Sequence, residues 1–189
     1  MEEDEKEARA LVVDTNVLIS AMMRSEGITR IAFLFLANDP SNRMLCPRIV
    51  TEEIERNYAE IARRAHAPPK LIRAGLDELL TRMTMVDESE FSAWMAGSRT
   101  LVNDENDTSF AALAVKSSPS VIVTYDKAGY REEELRKSGV LVLTPVEALK
   151  HTGVELSDID IRRRRKGDAI AVIARILALV GIKKKHDAK

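Results

Sequence analysis

Five acidic residues stand where a fold could bring them together. Asp14 closes the apolar run Leu11, Val12, Val13, and Asp126 follows a second apolar run over residues 121–124. Glu53 lies in the expected first turn of a helix, and Asp104 and Asp107 stand at the start of another. An acid at the C-terminal end of a buried parallel strand faces the crevice in which open α/β sheets bind their ligands. Each acid taken singly has a plainer reading: Asp14 as a helix N-cap, Glu53 and Asp107 as first-turn acids that complement a helix dipole, Asp104 as a loop residue. Two strands ending on acids at one sheet edge are not explained by capping alone. Carboxylates brought together raise one another's pKa, so such a cluster needs a compensating cation. The histidines His66, His151 and His186 lie near breakers or the terminus, and Cys46 has no second thiol beside it in the chain. The available donors are therefore oxygens, a set that suits Mg²⁺ or Mn²⁺. Such an ion activates water and stabilises the charge of a phosphoryl transition state.

The elements that must position these acids can be read in order. Leu11, Val12 and Val13 are short, partly β-branched and uniformly apolar, the pattern of a strand buried on both faces. Residues 44–47, 85–86, 121–124 and 140–144 supply further strand segments. Helices are expected from Val17, over residues 31–38, from Glu52 with Thr51 as its cap, over 71–83 and over 91–100 with Trp94 in the core. Three more follow: the small-residue segment SFAALAVK, residues 132–137 closed by Gly139, and a last one opened by Pro145. Strands separated by helices, never by two-residue hairpin turns, predict an α/β fold with a parallel sheet.

A chain of 189 residues with 45% apolar residues makes one medium domain with room for an appendage. Aromatic residues are only 4%, so the core is aliphatic and nucleic-acid binding cannot rest on many stacking platforms. A single cysteine fits a reducing compartment. The acidic start, MEEDEKEAR, has no apolar centre and does not resemble a secretory signal. No apolar run is long enough to span a bilayer, and a cytoplasmic protein without a membrane partner is expected. The net charge of −1 hides an asymmetry, because residues 162–189 hold ten Lys and Arg against two Asp, leaving −9 for the rest. The organisation expected is an acidic flexible N-terminus over 1–9, a body over 10–150, and a linker with a basic C-terminal helical tail over 151–189. In that tail Arg162, Arg163, Arg164, Arg165 and Lys166 allow a localised polyanion contact, and the apolar residues 169–180 must pack on the body or on a second copy.

At the level of motifs the chain resembles a known family. DTNVLIS at Asp14, TEEI containing Glu53, D-x-x-F-A-A-L-A from Asp107 and VTYD ending on Asp126 together resemble a PIN domain, the fold of metal-dependent ribonucleases that includes VapC-type toxins. The resemblance covers residues 10–150 and is carried by four motifs in order. It implies a three-layer α/β/α fold with a central parallel sheet, single-stranded RNA as substrate, and Mg²⁺ or Mn²⁺ as cofactor. Asp14, Glu53, Asp107 and Asp126 match the family's four metal-binding acids. Asn16 and Thr124 match supporting polar residues. One position departs: family members often carry another acid two residues after the fourth, where this chain has Ala128, and Asp104 is the residue that could compensate. Lys127 and Arg131 follow the fourth acid and are either phosphate contacts or plain surface charge.

The resemblance implies endonucleolytic hydrolysis leaving 5′-phosphate and 3′-hydroxyl ends. The rival of another class is a catalytically weak or inactive RNA-binding or assembly module on the same fold, which Ala128 favours and the four acids oppose. A phosphatase using Asp14 as nucleophile would want an Asp at the position of Asn16, and a phospho-receiver would want a Lys after a late strand, which residues 140–144 lack. Beyond RNA, the partners left open are a second copy, in a homodimer, and an antitoxin or other protein.

Overall fold

Apolar segments that hide both faces become interior parallel strands when helices can cover each side. In the computed structural model, which describes residues 9–23, 27–66 and 68–154, these are β1 (Arg9–Val13), β2 (Asn42–Pro47), β3 (Thr84–Val86), β4 (Ser120–Val123) and β5 (Val140–Leu143). All pairings are parallel, in the order β3-β2-β1-β4-β5. The connections carry α1 (Thr15–Met23), α2 (Ile28–Asn38), α3 (Ile49–Ala65), α4 (Pro69–Leu80), α5 (Glu88–Ser98), α6 (Thr108–Lys116), α7 (Glu132–Lys137) and α8 (Pro145–His151). One layer is built by α1 packing on α2, α3 and α4, with α8 on α2. In the other, α6 lies on β1, β2 and β4 and α5 packs on α6. The result is the α/β/α arrangement that the motifs imply.

The register decides what meets at the sheet edge. Val12 stands beside Leu45 of β2 and Ile122 of β4, and Val13 beside Val123. β1 and β4 therefore end level, and the Asp14 N–H donates to the Val123 carbonyl at 3.0 Å. From β1 the chain runs outward through β2 to β3, then returns to β4 on the other side of β1. The connections diverge between β1 and β4, which is where a doubly wound sheet leaves its crevice.

α1, α2, α4 and α5 begin two or three residues before their expected starts, and two further local expectations change. Helix α3 begins at Ile49, ahead of Thr51, whose hydroxyl donates to the Arg48 carbonyl at 2.7 Å from within the first turn instead of capping it. The earlier start follows from Pro47, which ends β2, and from Val50 and Ile54, which are both fully buried and four residues apart. Trp94 is 39% exposed and not in the core. The buried stripe of α5 runs through Phe91 and Ser98, and Trp94 falls on its flank. At the C-terminal end of the body Val154 packs against the core. The acidic start, the linker beyond Val154 and the basic and apolar blocks of the tail lie outside the described residues.

Between α7 and β5, Gly139 has φ +76° and its N–H donates to the Arg136 carbonyl at 3.0 Å. A Cβ at this position would overlap the Ser118 hydroxyl, which itself donates to the Ser138 carbonyl at 2.8 Å. Gly139→Ala is expected to destabilise the fold by about 1–3 kcal/mol. Urea unfolding checks this, as a lower midpoint at unchanged slope.

Candidate functional site

Asp14 leaves β1 at the crevice and is only 5% exposed. Its Oδ2 accepts from Thr124 Oγ1 at 2.6 Å, from Asn16 Nδ2 at 2.9 Å and from the Tyr130 hydroxyl at 3.4 Å, while Oδ1 accepts the Asn16 backbone N–H at 3.3 Å. Thr124 Oγ1 in turn accepts from Asn16 Nδ2 at 3.1 Å and from the Asp126 N–H at 2.9 Å. That hydroxyl thus donates once and accepts twice, its full capacity. Asn16 Oδ1 accepts the Tyr125 N–H at 3.1 Å, so the neighbours on both sides fix which end of the amide is nitrogen. Burial pushes the Asp14 carboxyl above its ordinary range; the hydrogen bonds from Thr124, Asn16 and Tyr130 oppose this, and the charge of Glu53 adds to it.

The other acids arrive from separate elements. Glu53, half-buried on α3, has its Oε2 bonded at 2.6 Å by the Thr15 hydroxyl from the first residue of α1. Glu52 beside it is exposed, which separates the two acids of the TEEI motif. Asp107 ends a 3-10 turn (Glu105–Asp107) immediately before α6. Its carboxyl is pushed up to about 7, by burial first and then by the charges of Asp14, Asp104, Asp126 and Glu53. Asp126 sits exposed on the rim beyond β4. The four acids of the motifs, from the ends of β1 and β4 and the starts of α3 and α6, therefore act within one electrostatic field.

The loop after β4 closes against Asp107. A Cβ on Gly129 would overlap the Asp107 carboxylate and lie 3.8 Å from Asp126 Oδ2, so the backbone at this point takes the space a side chain would need. Asp104 Oδ1 accepts the Asn106 N–H at 3.0 Å, which makes it the cap of the 3-10 turn. It reaches Asp107 through charge. Ala128 contributes its carbonyl, which accepts from Asn103 Nδ2 at 2.8 Å.

The donor chemistry fits a hard divalent cation. All four acids offer oxygen, and among the described residues no Lys or Arg is ion-paired with any of them. The acids share a field without converging, however: among the described residues no three His, Cys, Asp or Glu side chains form a ready-made cage. Lys127 is held between Glu132 at 3.6 Å and Glu147 at 3.5 Å, and Arg131 Nε donates to Asn103 Oδ1 at 3.1 Å. Both line a cleft of about 460 Å³ with Asn103, Tyr130 and Glu132, and none of the four acids lines it. Arg162, Arg163, Arg164, Arg165 and Lys166 lie outside the described residues.

Three residues of this site escape a reading of the sequence. Thr15 stands inside the DTN motif and could have been taken with it. Tyr130, 3% exposed, is marked only by being a tyrosine four residues past Asp126. Gly129 carries no signal beyond being a glycine in a turn.

The PIN domain family model matches residues 12–130, well over half of the chain, and the chain belongs to the PIN domain family. PIN domains are typically nucleases and generally use a divalent metal. A crystal structure of VapBC2 from Rickettsia felis bound to a DNA fragment from its promoter is similar in fold, with a TM-score of 0.50 and 16% identity over 70% of this chain and 96% of that one. No curated protein matches the chain.

In metal-free protein Asp107 titrates at about 7 when folded, against an ordinary value of 3.8. The folded state holds this proton more tightly, so the group's stabilising contribution is complete below about pH 4 and is lost as the pH rises through about 7. Asp107→Asn removes the titrating group and one charge of the cluster. In EDTA the variant is expected to gain in melting temperature relative to the parent between pH 5 and pH 8, by roughly 2–4 °C for each kcal/mol of repulsion relieved. Scanning calorimetry at the two pH values checks it, and an equal offset at both would contradict the shared field.

Proposed function

We propose that this protein is a Mg²⁺- or Mn²⁺-dependent endoribonuclease that hydrolyses single-stranded RNA. In this reading Asp14, Glu53, Asp107 and Asp126 hold the metal and act as the catalytic carboxylates. The observation that carries it is the charge imbalance at the crevice: four acids from four segments, one of them raised to about 7, with no Lys or Arg ion-paired to any among the described residues. A cluster of this kind is unfavourable until a cation joins it. When bound, the ion supplies Lewis acidity and lowers the pKa of water.

The chain's own groups prepare that position. Thr124, Asn16 and Tyr130 occupy Asp14 Oδ2 and orient the carboxylate, while Oδ1 keeps capacity beyond its single backbone contact. Thr15 orients Glu53, and Gly129 lets the loop close on Asp107. Asp104 adds negative charge where Ala128 brings none. Hydrolysis would leave 5′-phosphate and 3′-hydroxyl ends. Residues 9–154 would form the nuclease unit, and the residues beyond them a linker and basic tail that contacts RNA through Arg162, Arg163, Arg164, Arg165 and Lys166 and packs on the body or a second copy. Lys127 and Arg131 are the basic residues that follow Asp126 in sequence. The free, buried Cys46 is compatible with a cytoplasmic setting, and an antitoxin or other protein partner belongs to this reading.

Ala128 and the lack of a preformed cage among the described residues favour a second reading, a weak or inactive RNA-binding or assembly module. A Mn²⁺ titration separates the two, because a binding module retains RNA with or without metal and yields no fragments. For the nuclease reading, Asp14→Asn is expected to reduce Mn²⁺-dependent cleavage of single-stranded RNA by about 100-fold or more, with an unchanged circular dichroism spectrum. Undiminished metal-dependent cleavage by pure Asp14→Asn protein would sink the assignment.

A further inference from the structure

The rim of the crevice carries an aromatic ring that the four acids do not account for. Tyr125 lies between Thr124 and Asp126 and is 44% exposed. Its backbone N–H is held by Asn16 Oδ1 at 3.1 Å. Its hydroxyl is bonded to Thr29 Oγ1 of α2 at 2.6 Å, and Thr29 to Ser20 Oγ of α1 at 3.1 Å. The ring is thus tied at both ends and still open to solvent, so little conformational freedom remains to be lost when something packs on it. In a chain of eight aromatic residues this placement is not the common one: Phe33, Phe91, Phe110 and Tyr130 are buried, and the other exposed large aromatic, Trp94, stands on α5.

A substrate strand at this crevice meets a problem of charge. Residues 1–161 carry a net −9, and four carboxylates stand where the phosphates would come. The two basic residues that follow Asp126 are already engaged, Lys127 with Glu132 and Glu147 and Arg131 with Asn103. Arg131 keeps its charge but opens on the cleft that none of the four acids lines, and beside Asp126 the neutral contact that Tyr125 offers is a π-face open to any base. A base stacked on the ring meets its face and not the hydroxyl, which points to Thr29, so the contact is with the π-system and not with a base edge. A base within a duplex is already stacked on both faces, whereas an unpaired base is free to leave its neighbours.

Resting on the nuclease reading above, we propose that Tyr125 is a nucleobase-stacking subsite, which holds one unpaired base of single-stranded RNA beside the carboxylates without regard to its identity. The ring makes the chain prefer single-stranded over duplex RNA and positions the adjoining phosphate at the crevice.

The test uses the full chain and a fluorescein-labelled single-stranded RNA decamer, with anisotropy binding in EDTA and steady-state cleavage in Mn²⁺. Tyr125→Ala and Tyr125→Leu are expected to weaken binding by roughly 5- to 100-fold, the range of one stacked base, and to raise KM with kcat within about threefold. Tyr125→Phe, which keeps the ring and loses the hydroxyl, is expected to stay within about twofold of the parent. The loss should persist between 50 and 300 mM KCl, since stacking releases no counterions. A fully abasic decamer should cost the parent about the same factor and cost Tyr125→Ala nothing further, whereas a single abasic position, which the strand can shift past, should cost neither. Parent-like binding by both Tyr125→Ala and Tyr125→Leu would overturn the subsite and leave the nuclease reading intact. Equal damage from Tyr125→Phe and Tyr125→Ala would also overturn it, by assigning the effect to the bond with α2. A parent protein that neither binds nor cuts single-stranded RNA would remove both readings together.

Discussion

The hydroxyl of Thr124 has one hydrogen and two lone pairs, and all three are used on groups at the ends of the two central strands. The hydrogen goes to Asp14 Oδ2, and the lone pairs take Asn16 Nδ2 and the Asp126 N–H. This small network requires that β1 and β4 end at the same level. A slip of one residue in that pairing would turn the Thr124 side chain to the other face of the sheet and leave Asp14 buried without its shortest partner. The buried core residues Val12, Val13, Ile122 and Val123 hold the level, so the aliphatic packing of the two central strands is what keeps the acid in place.

The same arrangement sets packing against charge. Burial raises the Asp14 carboxyl, Asp107 is raised by burial and by its acidic neighbours, and the Tyr130 and Cys46 protons are held more tightly for the same reasons. Hydrogen bonds from Thr124, Asn16 and Tyr130 offset part of this at Asp14. Among the described residues nothing comparable reaches Asp107, whose carboxylate lies against the backbone of Gly129. The stress is therefore uneven, greater on the acid carried by the loop before α6 than on the acid fixed by the central strand.

What the sequence makes legible follows the range of the forces involved. The five strands and their parallel alternation with helices are local patterns, and they appear where the apolar runs place them, as the PIN family membership of residues 12–130 also requires. The four motif acids could be picked out because strand ends and helix starts are local features as well. The start of α3 and the exposure of Trp94 were misread, because both depend on what the far side of the fold leaves uncovered: Val50 and Ile54 draw the first forward, and the stripe through Phe91 and Ser98 leaves the second on its flank. The bond from Thr15 to Glu53 spans 38 positions and that from Tyr130 to Asp14 spans 116. No spacing rule in a single sequence reports such pairs. The ion pairs that occupy Lys127 are hidden for the same reason, since Glu147 comes from α8.

Asn16 makes use of both ends of its amide, the nitrogen toward Asp14 and Thr124 and the oxygen toward the Tyr125 N–H. That directionality has a consequence at the level of one atom. Exchanging the amide nitrogen for oxygen, which changes shape hardly at all, would replace a donor facing the Asp14 carboxylate with a second acceptor and add a further negative charge to the crevice. The strand end tolerates the isostere in volume and rejects it in polarity, so size and substitution matrices are poor guides at this position and the count of hydrogens is a good one.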